Sequence, residues 1–173
     1  MKNNWKPLWW VAMIGLCGAG WVYAAGGSNP DAGKSINIEA DRARMDDAKK
    51  QAIYEGRVEI SQGSMHINAA RVEAQQDGAG FTTMLATGDQ AHFTRKETTG
   101  QWVEGWARRV DYDSRAELVV LTDQAHLRRG EDDVRGNVIT YNMKTQVYQA
   151  SSSGKPGGRV RAVIQPKPEA DSR

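Results

Sequence analysis

Apolar and polar residues alternate with a period of two along most of the chain after residue 35. Ile36 and Ile38 alternate with Asn37 and Glu39, and the same period runs through residues 52–61 and 65–70. This period is typical of β-strands with one buried face and not of helices. Turn-forming residues separate the runs, at Gln62-Gly63, Asp77-Gly78-Ala79-Gly80, Thr99-Gly100 and Gly130. The pattern therefore predicts an all-β protein.

The alternation shifts by one position after certain small residues and then resumes. The template starts with a small residue. Three positions later it has Ala, Val or Ile, and two positions after that it has Met, Ala or Tyr. It begins at Ala40, Ala69, Ala107 and Gly136, at offsets of 29, 38 and 29 residues. A shift beside a small residue predicts a bulge or corner, where a strand bends from one sheet into another.

A second repeat lies between these units. Residues 89–95 (DQAHFTR) match residues 123–129 (DQAHLRR), and residues 56–60 form a weaker third copy. Self-similarity in short strands indicates stacked units that bury their apolar faces against one another. We therefore expect one antiparallel stack with two facing sheets over residues 35–150, and residues 159–164 can add a last strand.

The first 24 residues resemble an export signal. Lys2 and Lys6 precede an apolar run from Leu8 to Val22, and Val22-Tyr23-Ala24 predicts cleavage after Ala24. A membrane anchor is the alternative, but a spanning helix needs about 20 apolar residues and this run is shorter and rich in glycine. N-terminal sequencing of the exported protein distinguishes the two. Downstream we expect a flexible segment over 25–34, one domain over 35–166 and a flexible tail over 167–173.

The charge balance argues against a nucleic-acid partner. The chain has 23 Lys and Arg and 21 Asp and Glu, and the predicted signal holds two of the basic residues and none of the acidic ones. The remaining chain is therefore neutral, whereas binding to a phosphate backbone needs a basic excess on one face. Large apolar residues are scarce and many inward positions are Ala or Gly. Both a closed sandwich and a slim groove for acyl chains fit this composition.

No catalytic group, metal site or cofactor is predicted. His92 and His126 occupy equivalent repeat positions, which predicts near neighbours on adjoining strands and a candidate metal pair. However, they and His66 are flanked by inward residues, so we expect all three to face solvent, and no cysteine completes a ligand set. No G-x-S-x-G stretch is present. Paired cations at Arg95-Lys96, Arg108-Arg109 and Arg128-Arg129 could bind anionic head groups at a cleft rim, but protection of strand ends is favoured.

Several stretches together resemble the LptA/OstA-like family of periplasmic lipopolysaccharide-transport proteins. They are Ile36-Asn37-Ile38-Glu39-Ala40-Asp41, residues 54–63, Ile67-Asn68-Ala69, Val103-Glu104-Gly105, Val119-Val120-Leu121-Thr122, and Gly136 with Ile139-Thr140-Tyr141. Their order and spacing make the resemblance specific, and it covers about residues 35–166. Two departures fall at turn and surface positions. Asp123 replaces an expected glycine, and Ala69-Ala70 replaces Ala-Asp.

The resemblance implies a twisted antiparallel β-jellyroll that is open at both ends. It also implies a periplasmic bridge, without enzymatic activity, that carries lipopolysaccharide from the inner to the outer membrane. The implied partners are an LptC-like inner-membrane protein at the N-terminal edge and an LptD-like outer-membrane protein at the C-terminal edge. Because an open-ended strand stack exposes unpaired backbone groups at both ends, we also expect head-to-tail self-association, with the first strand near Ile36–Ala40 pairing with the last strand near Val138–Ala150 of the next copy.

The resemblance also suggests which residues line the groove. It places Ile36, Ile38, Phe93 and Tyr112 along the groove. Each lies at one of the alternating apolar positions of its strand, a property that we call inward parity. By parity, we expect further lining from Val58, Ile60, Leu127 and Tyr141. An ordinary core at these positions is almost equally compatible with the sequence.

Two other functions stay open. If the signal is retained, the chain is an anchored LptC-like subunit of the same pathway. A secreted glycan-binding β-solenoid is disfavoured, because the outward positions carry mixed Arg, Glu, Gln and His without an aromatic row.

Overall fold

The computed structural model describes residues 31, 33–77, 80–152 and 158–165. The predicted signal peptide over residues 1–24 and the predicted tail over 167–173 lie outside these ranges. Within the described ranges, no helix is long and apolar enough to cross a membrane.

The described chain folds into ten β-strands, as the period-two pattern predicts. They are β1 (Ile36–Glu39), β2 (Arg42–Asp46), β3 (Gln51–Gln62), β4 (Met65–Asp77), β5 (Gly80–Lys96), β6 (Trp102–Asp113), β7 (Leu118–Arg129), β8 (Asp132–Asn142), β9 (Val147–Ser151) and β10 (Arg161–Val163). Every pairing is antiparallel, and strands β3 to β8 each pair with the next in sequence. The expected extra strand near residues 159–164 is β10.

The long strands bend in the middle, so each contributes to two layers. Layer A consists of β2, β9 and the segments 51–55, 71–77, 80–87, 109–113, 118–122 and 138–142. Layer B consists of β1, β10 and the segments 58–62, 65–69, 91–96, 102–107, 125–129 and 132–136. The register shifts between these segments in each pairing from β3–β4 to β7–β8. The predicted corners are therefore confirmed.

Left-handed backbone conformations form two of the corners. Gly56 and Arg57 have φ of 79° and 45°, and Asp123 and Gln124 have φ of 64° and 56°. Asp123 is the position where the resemblance leads one to expect glycine. Its left-handed φ explains that expectation, because glycine adopts this conformation without steric cost and Asp is among the few other residues that tolerate it.

The two layers face each other across a shared core. A Cβ atom built on Gly105 of layer B would lie 2.8 Å from Leu121 Cδ1 of layer A. The buried residues of both layers form a single apolar cluster. The prediction of a β-jellyroll with two facing antiparallel sheets is confirmed.

Among the described strands the sheet does not close on itself, so this part of the jellyroll has two free edges. Strands β1 and β2 pair with β3 at the first edge, and β9 and β10 pair with β8 at the last edge. Ala43 and Met45 follow the predicted template, but they lie in β2 at the first edge and are exposed. In the predicted flexible segment, Asp31 is buried and accepts a hydrogen bond from Lys34 Nζ at 2.9 Å.

Candidate functional site

Rows of inward side chains run from one edge of the jellyroll to the other. Because side chains alternate between the faces of a strand, residues in register on neighbouring strands form a continuous row. One row of layer B consists of Ile38, Ile60, Ile67, Phe93, Gly105, Leu127 and Val134. One row of layer A consists of Met45, Ala52, Ala74, Met84, Tyr112, Val119, Tyr141 and Tyr148.

All eight residues expected to line a groove belong to this interior. Six are buried in the apolar cluster, namely Val58, Ile60, Phe93, Tyr112, Leu127 and Tyr141. Ile36 and Ile38 are half-buried and pack against the cluster at the first edge. The inward parity read from the sequence therefore holds for all eight.

The interior extends from the corners of the strands to the opposite side, which we call the mouth. The corner row of layer B contains mainly small residues, with Ala91 opposite Ala107 and Ala125 opposite Gly136. Small side chains allow the two layers to converge there.

A cleft of about 610 Å³ opens at the mouth near the first edge. Ile36 and Gln62 line it from layer B, and Phe81 and Tyr112 line it from layer A. The sequence did not identify Phe81, which lies at an outward parity position of β5. A register shift between Gln75 and Gln76 changes the pairing at this end of the strand, and Phe81 packs against the core.

Towards the last edge, hydrogen bonds connect the two layers across the mouth. Tyr141 of layer A donates to Glu97 Oε1 at 2.8 Å. Arg129 of layer B donates to Glu97 Oε2 from Nε at 3.2 Å and from Nη2 at 2.9 Å. Burial, together with the hydrogen bond to Glu97, raises the pKa of Tyr141 far above its usual value. Tyr141 therefore stays protonated and acts as a donor at neutral pH.

A second arginine also faces the interior at the mouth. Arg95 is 3 % exposed and follows Ala91 and Phe93 on the inward parity of β5. It lies near Tyr112, where burial raises the pKa of the phenol and the positive charge of Arg95 opposes that increase. Sequence analysis did not place Arg95 and Arg129 inside, although both occupy inward parity positions.

The outer face of layer B carries an aromatic row. Trp106 lies between two histidine rings, with centroid distances of 4.9 Å to His92 and 4.8 Å to His126. The prediction that the two histidines lie on adjoining strands is wrong, because β6 separates β5 from β7 and contributes Trp106. The absence of an outward aromatic row, inferred from the sequence, is also wrong. However, His rings cover both faces of Trp106, so the row offers no flat surface for a sugar.

The described residues provide an apolar interior with polar groups at its mouth. Among them, no group of three or more His, Cys, Asp or Glu side chains is arranged to hold a metal ion. The cleft at the mouth brings the apolar side chains of Ile36 and Phe81 close to polar ones, so it suits a ligand that has both an apolar and a polar part. Such binding needs no covalent chemistry.

Comparison with known proteins agrees with this architecture. Residues 37–147 match the profile of a family described as LptA/(LptD N-terminal domain) LPS transport protein. The chain is 33 % identical over 138 residues to the lipopolysaccharide export system protein LptA of Escherichia coli (strain K12), covering 79 % of this chain and 74 % of that protein. It is 34 % identical over 140 residues to LptA of Haemophilus influenzae, covering 79 % of this chain and 80 % of the relative.

The fold also matches a crystal structure of LptH from Pseudomonas aeruginosa. That protein is described as the LptA-homologous periplasmic component of a lipopolysaccharide transport device. The TM-score is 0.73 at 27 % sequence identity, and the match covers 79 % of this chain and 99 % of the LptH chain.

Proposed function

The chain belongs to the LptA/(LptD N-terminal domain) family of LPS transport proteins, and on this basis we propose that it is a periplasmic bridge protein for lipopolysaccharide. It binds the acyl chains of the lipid between its two layers and moves the lipid from the inner to the outer membrane. The observation that carries the proposal is the row of inward apolar side chains that runs between two free edges.

The physical requirement for such a protein is shielding. Exposing one acyl CH₂ group to water costs about 0.8 kcal/mol, so a lipid with several chains cannot cross an aqueous compartment unprotected. An interior that is apolar along its length and open at both edges lowers this cost at every step. The protein acts as a carrier, with no catalytic step and no cofactor.

The two free edges are the proposed docking sites for partners. Exposed edge strands accept a further strand through their unpaired backbone groups. An LptC-like protein pairs with β1 and β2, and an LptD-like protein pairs with β9 and β10. Copies of the chain join head to tail through the same edges, which aligns their interiors into one channel. Export with cleavage after Ala24 releases the chain into the periplasm.

Site-specific photo-cross-linking tests the location of the lipid. A photo-reactive amino acid replaces Ile38, Phe93 or Tyr112 on the inside, and Glu39 or His92 on the outside as matched neighbours. Each variant is expressed in lipopolysaccharide-producing cells, and circular dichroism verifies its fold. We expect lipopolysaccharide adducts at the inward positions and at least about tenfold fewer at the outward ones, because direct contact is required for capture.

Two outcomes contradict the proposal. Equal labelling at Ile38 and Glu39 means that the lipid does not distinguish the two faces. Labelling confined to the outward positions means that it travels on the surface of the protein.

A further inference from the structure

The paired cations of the sequence divide between the two faces of layer B. In the pair Arg95-Lys96, Arg95 faces the interior and Lys96 faces outward. In the pair Arg128-Arg129, Arg129 bonds to the buried Glu97, whereas Arg128 lies on the outer face, with its Cζ atom 5.5 Å from the centroid of the Trp106 ring. Arg95 and Arg129 occupy equivalent positions of the 34-residue repeat. The repeat therefore places two inward guanidinium groups on the same face of layer B.

Register places these two arginines on the same row at the mouth. Phe93 pairs with Gly105 and Gly105 with Leu127 in one row, and Arg95 pairs with Val103 and Val103 with Arg129 in the next. Neighbouring strands lie roughly 4.8 Å apart, so the two Cα positions are about 10 Å apart. Tyr141 reaches the same region from layer A, because its hydroxyl and the Arg129 guanidinium bind the same carboxylate.

We propose that Arg95, Arg129 and Tyr141 form a subsite for phosphate groups of an acylated lipid, and that the Glu97 carboxylate occupies the Arg129 and Tyr141 part of it until a phosphate takes its place. The inference rests on the proposed function, since it specifies how the head group is bound while the chains lie inside. It assigns a role to two of the cation pairs that shielding of acyl chains does not require.

The contacts of Glu97 show which ligand chemistry the subsite accepts. Arg129 presents two N–H groups in a fork, and Tyr141 adds a hydroxyl donor from the opposite layer. A guanidinium fork binds carboxylate and phosphate oxygens with the same geometry. The side chain of Arg129 is 26 % exposed, and a guanidinium that is partly removed from water needs a compensating anion. Glu97 supplies that anion, and a phosphate oxygen can supply it equally well.

The position at the mouth selects a lipid-borne phosphate. The neighbouring inward row contains Phe93 and Leu127, and these apolar side chains lie deeper between the layers. A lipid whose chains occupy that deeper row brings its first polar groups to the row of Arg95 and Arg129. A free phosphate ion has no apolar part to anchor it there.

Binding measurements on the mature chain test the subsite with two forms of one ligand. The probes are lipopolysaccharide and the same lipopolysaccharide after enzymatic dephosphorylation, with inorganic phosphate as a competitor. Arg95→Gln and Arg129→Gln each weaken binding of the phosphorylated form about tenfold, which corresponds to one charge-assisted hydrogen bond. Binding of the dephosphorylated form changes less than about twofold. The outward neighbours give matched controls, and Lys96→Gln and Arg128→Gln leave both affinities unchanged.

For Glu97→Gln we expect the opposite of the arginine variants, namely stronger binding of the phosphorylated lipid. If the Glu97–Arg129 pair were only structural, this substitution would not strengthen binding. Removing the competing carboxylate charge strengthens binding of the phosphorylated lipid by about threefold to tenfold and leaves the dephosphorylated lipid unaffected. Because Arg129→Gln alone leaves Glu97 buried without its cationic partner, the double variant E97Q/R129Q is measured as well. The subsite is supported if this variant folds, binds the dephosphorylated form with wild-type affinity and binds the phosphorylated form more weakly than the wild-type chain does.

The outcomes separate this inference from the proposed function. If neither form of lipopolysaccharide binds the wild-type chain, the proposed function fails. If both forms bind and the Arg95 and Arg129 variants lose affinity for both equally, only the phosphate subsite is overturned. Weakened phosphorylated-lipid binding in Glu97→Gln also overturns it. Competition by millimolar inorganic phosphate as effective as that by lipopolysaccharide shows a general anion site and overturns the lipid-borne assignment.

Discussion

His92 shows how one residue on the outer face is affected by its neighbours. Its imidazole ring stacks on Trp106 with an interplanar angle of 6°, and its Nε2 atom lies 3.8 Å from a Glu104 oxygen. Burial lowers the pKa of His92 from the usual 6.5; Glu104 opposes this shift, and Arg128 adds to it. Burial prevails because Glu104 is also paired with Arg128.

This lowered pKa predicts that acid weakens the fold. The unfolded state binds a proton on His92 more readily than the folded state, so stability is complete above pH 6.5 and decreases as the pH falls below that value. The slope of the free energy of unfolding against pH cannot exceed about 1.4 kcal/mol per pH unit, because only one proton is involved. Urea unfolding between pH 7.5 and 5 measures it, and an NMR titration assigns it to His92.

Replacing the stacking partner gives the matched comparison. Trp106→Ala exposes His92, so its pKa rises towards 6.5 and the slope becomes smaller. Trp102→Ala removes a tryptophan from the same strand that is 46 % exposed and lies outside the His92–Trp106–His126 stack, and it leaves the slope unchanged. An NMR pKa of His92 at or above 6.5 in the wild-type protein contradicts the prediction.

At the scale of the strand, the corners determine the architecture, and the sequence reveals them. The parity shift beside Ala69, Ala107 and Gly136 predicts bends because no other feature of a strand changes which residues face inward. The same logic identified the eight inward residues. It failed for Arg95 and Arg129 because an arginine at an inward position looks polar in the alternation.

Pairing between strands was harder to predict than the direction of each side chain. The 34-residue repeat spans two antiparallel strands, so equivalent residues such as His92 and His126 face the same way but lie two strands apart. The 34-residue spacing can be read from the sequence. It shows how many strands separate the two histidines only when the lengths of the hairpins are also known. Phe81 was missed because a local register shift near the turn reverses which residues face inward, and the small-residue template does not occur there.

Substitution of a corner glycine tests the role of these bends. Gly56 has φ of 79°, and a Cβ atom at this position would lie 2.3 Å from Asp41 Oδ2 and 2.8 Å from Asp41 Cβ. Gly56→Ala therefore combines backbone strain with a steric clash and is expected to cost about 2–4 kcal/mol in the free energy of unfolding. Urea denaturation measures this loss, and we expect the m-value, the slope of the free energy of unfolding against urea concentration, to stay unchanged.

Gly100→Ala provides the control, because Gly100 has a similar φ of 85° and no atom within 4 Å of the added Cβ. It is expected to cost only about 1 kcal/mol from the backbone term. Equal losses in the two variants would show that the close approach of Asp41 to the corner has no energetic importance.

At the scale of the whole molecule, the two free edges carry exposed apolar side chains. Met45 in β2 is 64 % exposed at the first edge, and Val147 in β9 is 53 % exposed at the last edge. Both strands belong to layer A, so joining the last edge of one copy to the first edge of the next continues that layer. Such a contact uses two different surfaces, and it repeats without closing.

We therefore expect concentration-dependent, head-to-tail association, seen as a ladder of species in sedimentation velocity. Met45→Lys and Val147→Lys each place a charge on one edge, and each alone reduces association at least about tenfold. Trp102→Lys alters an exposed residue away from both edges and has no effect. Because each edge variant keeps one intact edge, an equimolar mixture of the two forms a dimer that cannot grow. Two outcomes contradict the head-to-tail contact: a ladder that persists in either variant, and a mixture that stays monomeric at concentrations where the wild-type chain associates. The mixture is decisive because the intact last edge of one variant can join the intact first edge of the other, and no further copy can then be added.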